Sequence, residues 1–357
     1  MNLEQRNLPS EKVETHRFKW IKALGGESRF IWIMLALLLI LMVTRFISPT
    51  FFDIRLVNDR LIGSPIIILD NAAPGALLAI GMTLVIATKG IDLSVGAVMA
   101  ICASVAVVMV RNHEAGDPAL YYQPGVIILI TLLIGAICGL WNGILVAFLN
   151  LQPIIATLIL MVSGRGIAQL ITGGQSPTFT NETLAFIGRG VVFGIPFPII
   201  IAIFVLIVVT LLVRRTALGL LIEAVGVNDR ASYYAGIHAR QIKLFVYMIS
   251  GVCAAMAGMI VAGEVKSADP HTAGLFTELD AILAVVIGGT SLLGGRFNLT
   301  LSVLAVLIIQ SLLVGLYVST LHPTTNLVVK AVVVLAVLLL QSQEFRQFVS
   351  QPFKRSA

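Results

Sequence analysis

Leu218-Gly219-Leu220-Leu221-Ile222-Glu223-Ala224-Val225-Gly226-Val227-Asn228-Asp229-Arg230-Ala231 lies within a polar island bounded by Arg214-Arg215 and Lys243. Apolar runs flank the island, at about 197–213 before it and 243–263 after it. In so apolar a chain the island must sit outside the lipid, which makes both flanking runs membrane spans. The quoted stretch reads as a short amphipathic helix, with a stop at Gly236-Ile237. A membrane protein with no energy source of its own needs such a surface to receive force from a partner.

Composition agrees. The chain of 357 residues is 58% hydrophobic and 12% charged, with mean hydropathy +0.98. Soluble domains carry about 25% charged residues, so a soluble protein is excluded. Ten apolar segments stand out, at about 30–47, 66–88, 94–110, 125–149, 153–172, 197–213, 243–263, 279–293, 299–318 and 325–340. Each approaches the ~20 residues that a helix needs to cross a bilayer. The runs are continuous, not alternating, which excludes a β-barrel. The expected fold is an all-α polytopic membrane protein of about ten helices. Its parts are an N-terminal segment 1–29, a transmembrane region 30–340 with the segment 214–243 outside the lipid, and a tail 341–357.

Ten spans put both termini on one side. Sixteen of the 24 Lys and Arg residues fall on the side holding the termini and the island, and six on the other. The positive-inside rule therefore assigns the termini and 214–243 to the cytoplasm. The net charge of +6 belongs to this orientation bias; no nucleic-acid partner is expected. Residues 1–29 are largely polar and the run 30–47 lacks a small-x-small cleavage site, so an uncleaved first span is expected. Cys102, Cys138 and Cys253 lie in apolar runs with no metal or redox spacing. The chain has no Gly-x-x-x-x-Gly-Lys-Ser/Thr loop, so it is not expected to hydrolyse ATP. All five histidines fall in links or tails, which argues against an intramembrane hydrolase. We expect no enzyme, and no cofactor or metal bound by this chain.

Small residues mark helix contacts. Gly135, Gly139 and Gly143 form a small-xxx-small ladder on the fourth span, and Ala254, Gly258 and Ala262 another on the seventh. The link Thr88-Lys89-Gly90-Ile91-Asp92-Leu93-Ser94-Val95-Gly96 joins spans two and three. Asp92 or Ser94 suits a cap on the third helix. The same link also suits a break close to a passage, where irregular chain at depth is tolerated. Either a structural or a gating role is open to the pair.

The motifs resemble a family. Gly90-Ile91-Asp92-Leu93-Ser94-Val95-Gly96 is similar to the signature of permease subunits of bacterial ABC sugar importers, in the ribose, xylose, arabinose and galactoside branch. So are Pro153-Ile154-Ile155-Ala156-Thr157-Leu158 with Gly164-Arg165-Gly166, and Ala224-Val225-Gly226 with Asn228, Ala231 and Ala235-Gly236-Ile237. Glu278-Leu279-Asp280-Ala281-Ile282 with Gly288-Gly289-Thr290-Ser291 and Gly294-Gly295 completes the set, in the same order over about 60–340. Gly63-Ser64-Pro65-Ile66 and Trp141 to Ala147 resemble the galactofuranose-importing members. Lys89 departs from the usual Gly, and Ser232 from the usual Ala.

The resemblance implies an ABC importer permease fold in the bacterial inner membrane. It implies a separate ATPase subunit that carries ATP and Mg, a second permease subunit (identical or paralogous), and a periplasmic sugar-binding protein. It also implies that the island is a coupling helix docking on that ATPase, with Glu223, Gly226, Asn228, Asp229 and Arg230 as contact candidates. An ordinary interfacial helix is the other reading of that stretch. Arg165 and Gln169 share a face of the fifth span, with Asn142 and Thr157 as further polar groups at depth. They are candidates either for the sugar pathway or for bonds to neighbouring backbone. Asp280 and Lys330 are placed on the outer side of spans eight and ten, as a pair that fixes register or serves gating. The links 173–177 and 266–270 face outward and would receive the binding protein. The alternative function is a secondary transporter with Asp92, Asp280 and Lys330 as an ion relay; acids near span ends argue against it.

Overall fold

The computed structural model describes residues 14–57, 60–116 and 123–318, with Val328, Ala331, Val332 and Leu335 beyond them; for 14–29 it describes the backbone alone. The expected tenth span, at 325–340, and Lys330 lie outside the described residues. Among the described residues eight helices are long and apolar enough to cross a membrane. They are α1 (Glu14–Ile47), α2 (Ser64–Ala87), α3 (Val95–Glu114), α4 (Pro124–Ala147), α5 (Pro153–Thr172), and then α7 (Phe197–Arg215), α10 (Ala239–Val265) and α12 (Leu299–Val318). Short elements lie between these: α6 (Glu182–Arg189), α8 (Leu218–Val227), α9 (Asp229–Tyr234) and α11 (Thr277–Ile287). The span expected from residue 30 is the second part of the longer α1.

Local chemistry starts and stops these helices. Helices α2, α4, α5 and α7 each carry Pro in the first two positions, where the missing N–H would have had no helical partner. Helix α5 ends on Gly173 at φ +63, and the Gly174 N–H reaches back to Gln169 O at 2.7 Å. Two small hairpins cover the outer ends: β1 (Arg55–Val57) with β2 (Arg60–Ile62), and β3 (Val191–Val192) with β4 (Ile195–Pro196). The Leu61 N–H bonds Gly194 O at 3.1 Å and joins them.

Helix α10 is the hub, packed on α2, α3 and α4. Glycines make this possible, because lipid supplies no hydrophobic drive and helices must gain from close packing. A methyl built on Gly135 would stand 2.5 Å from Gly251 O, and one on Gly143 3.0 Å from Leu244 Cα. Gly81 meets Ser250 Cα in the same way at 2.8 Å, and Gly258 abuts the Met99 carbonyl. Both small-residue ladders are thus spent on contacts within the chain. Leu77, Leu84, Val98, Met99, Val246 and Tyr247 fill the core around them.

The eighth expected span is corrected. The segment 279–293 is not a full crossing; α11 has 11 residues, about 16 Å at 1.5 Å per residue against a ~30 Å core. The chain leaves α10 at the outer face, dives as irregular backbone over 266–276, and becomes helical only at Thr277. Contacts fix the depth. Arg165 donates to the Ala273 carbonyl, and Arg165 lies seven residues short of the outer end of α5, about 10 Å below it. A methyl on Gly96 would meet Glu278 Oε2 at 2.6 Å, which places the start of α11 beside the start of α3. Asp280 is therefore well inside, not at the outer face. The dive and α11 together make one crossing, so the charge-based sidedness is unchanged.

Candidate functional site

The link between α2 and α3 is a polar knot on the inner half of the protein. Helix α2 ends in a left-handed cap: Lys89 has φ +63, its N–H bonds Ile86 O at 2.9 Å, and the Gly90 N–H bonds Val85 O at 3.0 Å. This position favours glycine, which explains why Lys89 departs from the family pattern at a cost. The departure has a compensation, since Lys89 Nζ donates to Val227 O at 2.9 Å.

Asp92 is 1% exposed and fully hydrogen-bonded. Its Oδ1 accepts from the Ser94 N–H (3.0 Å), Ser94 Oγ (2.7 Å) and Asn142 Nδ2 (3.3 Å), and its Oδ2 from Ser250 Oγ (3.0 Å). Asn142 also donates to Ser94 Oγ at 2.7 Å. Thr157 Oγ1 accepts from the Leu93 N–H at 3.1 Å, with Pro153 O at 3.0 Å able to take its proton. The knot thus ties the link to α4, α5 and α10. Ser94 occupies the N-cap position of α3 without accepting a helix N–H, its hydroxyl being engaged by Asp92 and Asn142. Asn142 and Thr157 are wholly buried and turned into the knot, not toward an open passage. Cost decides this use: at depth a carboxylate is tolerated only when its lone pairs are taken up.

The island forms an elbow, α8 then α9, at the inner ends of the spans. Ile222, Val225 and Gly226 are the buried face of α8. Gly226 sits against the Ala87 carbonyl, and a methyl on it would be 2.5 Å from the Gly295 N. The Gly295 N–H bonds Ala87 O at 2.9 Å. The elbow is therefore keyed onto two inner links at once, the one after α2 and the one after α11. Asn228 caps α9, its Oδ1 accepting from the Ala231 N–H at 3.0 Å. Asp229 pairs with Lys243 at the start of α10. Glu223 is half-buried and lines a cavity of about 450 Å³ with Arg214, Thr216, Asn298 and Thr300. Arg230 is exposed. The sequence reading passed over Tyr233 and Tyr234, which are 71% and 86% exposed beside it, with Leu220 and Leu293 also bare. An aromatic pair inside a polar island was the available signal, since nothing there needs it for a core.

On the outer side the two links expected to face outward are brought together. Thr178 bridges Ser267, and the Ala268 N–H bonds Pro177 O at 3.2 Å. Lys266 pairs with Glu182 at 2.7 Å. Hydrogen bonds from Thr272 Oγ1 and from the His271 N–H hold the Asp269 carboxyl below the ordinary range. Deeper in, Gln169 Nε2 meets His271 Nδ1 at 3.3 Å, above the Arg165 bond to Ala273. Arg165 and Gln169 thus fasten the diving segment to α5, while Asn142 and Thr157 belong to the knot further in.

A bundle with a crossing broken at mid-depth and an elbow keyed onto its inner links has the form of a transport subunit moved from one side. Residues 64–338 match the family described as "Branched-chain amino acid transport system / permease component", and the chain belongs to that family. It is 52% identical over 340 residues, 95% of both chains, to the galactofuranose transporter permease protein YtfT of Escherichia coli K12. It is 40% identical to the fructose import permease FruF of Bifidobacterium longum, over 84% of this chain and 83% of that one. With the ribose import permease RbsC of Haemophilus influenzae it shares 37% identity over 92% of this chain and 96% of that one. No solved structure matches it. The chain is a multi-pass transporter subunit of the bacterial inner membrane, and not an enzyme.

Proposed function

We propose that this chain is the transmembrane permease of an ATP-driven importer for a small sugar, galactofuranose or a related furanose or pentose. The observation that carries the reading is the seat of the elbow: Gly226 packs on Ala87 and Gly295 at once, so a push on α8–α9 reaches both the α2–α3 link and α11. A separate ATPase, holding ATP and Mg, docks on the exposed side around Arg230, Tyr233, Tyr234 and Leu220. Aromatic and arginine side chains are the usual anchors of such contacts. The sugar arrives on a soluble binding protein at the outer links 173–177 and 266–270. It passes between this chain and a second permease. The similar proteins named for galactofuranose, fructose and ribose support a sugar cargo.

The position of the passage follows from physics. Irregular backbone at membrane depth survives only inside protein or against water, and His271, Thr272, Leu275 and Phe276 are exposed along the dive. We place that face toward the second permease, beside the passage between the two. Nucleotide binding elsewhere drives transport by favouring one arrangement of the elbows over the other.

The test is ATP hydrolysis by the reconstituted permease pair and ATPase, with and without sugar-loaded binding protein. Stimulation that Glu223→Ala/Arg230→Ala weakens is the expected result. Absence of any stimulation, with uptake abolished by a protonophore at fixed ATP, would establish a secondary transporter instead.

A further inference from the structure

Phe276 is in an unusual position. It precedes α11 at mid-depth with φ +63, a conformation in which a bulky residue is an outlier, at a cost of about 1–3 kcal/mol. A glycine would take this conformation without that cost. The ring is not spent on packing: Phe276 is 52% exposed, between Leu275 and Leu279, which are equally bare. The backbone around it is irregular, so lipid cannot cover this face. A strained aromatic residue thus stands on the face that this chain turns toward its partner permease or the water between them.

Polar groups stand on the same break. Arg165 donates to Ala273 O, three residues before Phe276. A guanidinium has five N–H donors; that bond takes one, and the Glu278 carboxyl attracts the same group. Gln169 and His271 meet one turn further out. An aromatic ring and, on the same break nearer the outer face, planar amide and guanidinium groups are what a ring compound with one C–H face and a hydroxyl rim would need. The electron-rich ring face attracts the slightly positive C–H groups, and the donors take the hydroxyls. Such contacts are few and weak, which suits a passage, because a tight site would retain its cargo.

We infer that Phe276 is the stacking platform of a monosaccharide subsite at mid-depth, with Arg165 and Gln169 bonding the sugar hydroxyls. The inference rests on the sugar-importer reading above and assigns a place and residues to its substrate.

The test uses the intact importer in proteoliposomes, with radiolabelled D-galactose presented by the binding protein. Uptake and ATP hydrolysis are measured together. Phe276→Gly removes the ring while relieving the backbone, so its melting temperature should not fall below that of wild type, and misfolding cannot account for a loss. The expected result is that Phe276→Gly lowers sugar carried per ATP by about fivefold, the worth of one aromatic contact, and that Phe276→Tyr restores it. Wild-type uptake by Phe276→Gly would overturn the subsite. So would a loss in Phe276→Tyr equal to that in Phe276→Gly. A sugar leak through Phe276→Gly without ATP would make the ring a plug and also overturn it. Wild type showing neither stimulated hydrolysis nor uptake would refute the importer reading itself, a result distinct from these three.

Discussion

Gly226→Ala sets two effects of opposite sign against each other. In the interior of an exposed helix the change would stabilise by about 0.8–1 kcal/mol through helix propensity. Here the new methyl points into two backbones. It would stand 2.5 Å from the Gly295 N, and nearer still to the Ala87 carbonyl. Ordinary contact begins at 3.4 Å, so α8 must retreat by at least roughly 0.9 Å to clear Gly295, and further to clear Ala87. Backbone cannot yield as a side chain does, and overpacking of this kind costs about 1–3 kcal/mol. The clash outweighs the propensity gain, and the elbow lifts from its seat. A shift near 1 Å can cost up to about 10²-fold where geometry gates a step. We expect sugar-stimulated ATP hydrolysis to fall about tenfold, with faster amide exchange in 218–227 and at Gly295. The assay is stimulated hydrolysis in nanodiscs alongside hydrogen exchange. Wild-type stimulation with unchanged exchange would refute the claim that the elbow is keyed through Gly226.

Asn142→Ala removes two donors from the buried Asp92–Ser94 pair. At about 1.5–3 kcal/mol for a hydrogen bond to a charged group, it should destabilise by roughly 2–4 kcal/mol, read as a drop in melting temperature in detergent; a shift indistinguishable from zero would mean that Asn142 is not part of the knot. Lys89→Gly relieves the positive φ but deletes the bond from Lys89 Nζ to Val227 O. Stability should change by less than about 1 kcal/mol, while amide exchange at Val227 and Asn228 should quicken; slower exchange there would count against the Lys89 tether.

The island was legible because polarity inside so apolar a chain has one meaning, and its capping residue Asn228 follows local rules. Asp92 could be marked from sequence, but its partners could not. Asn142 and Ser250 lie 50 and 158 residues away, and no local pattern links them to Asp92. Asn142 read as a candidate for the pathway or for bonds to neighbouring backbone, and Ser250 carried no signal at all, until the fold brought them together. Helix α11 was misread for a different reason. A hydropathy window measures apolar length, and 279–293 has enough of it; what shortens the helix is the dive over 266–276, held by Arg165 on another helix. Lys89 carried a usable signal, a lysine where glycine is usual, whose compensation only the structure reveals. Tyr233 and Tyr234 also carried a usable signal, an aromatic pair inside a polar island, but only the structure shows how exposed they are.

The knot around Asp92 also bears on how the protein is made. Ser250 is synthesised 158 residues after Asp92. At about 5–20 residues per second, the carboxylate waits roughly eight to thirty seconds for its last donor. Until then α3 starts from an acid whose bonds are incomplete, and the inner position of the link lets cytosolic water serve in place of Ser250. The early spans therefore cannot lock as they are delivered: α2 to α5 come first, and only the arrival of α10 supplies Ser250 and completes the knot.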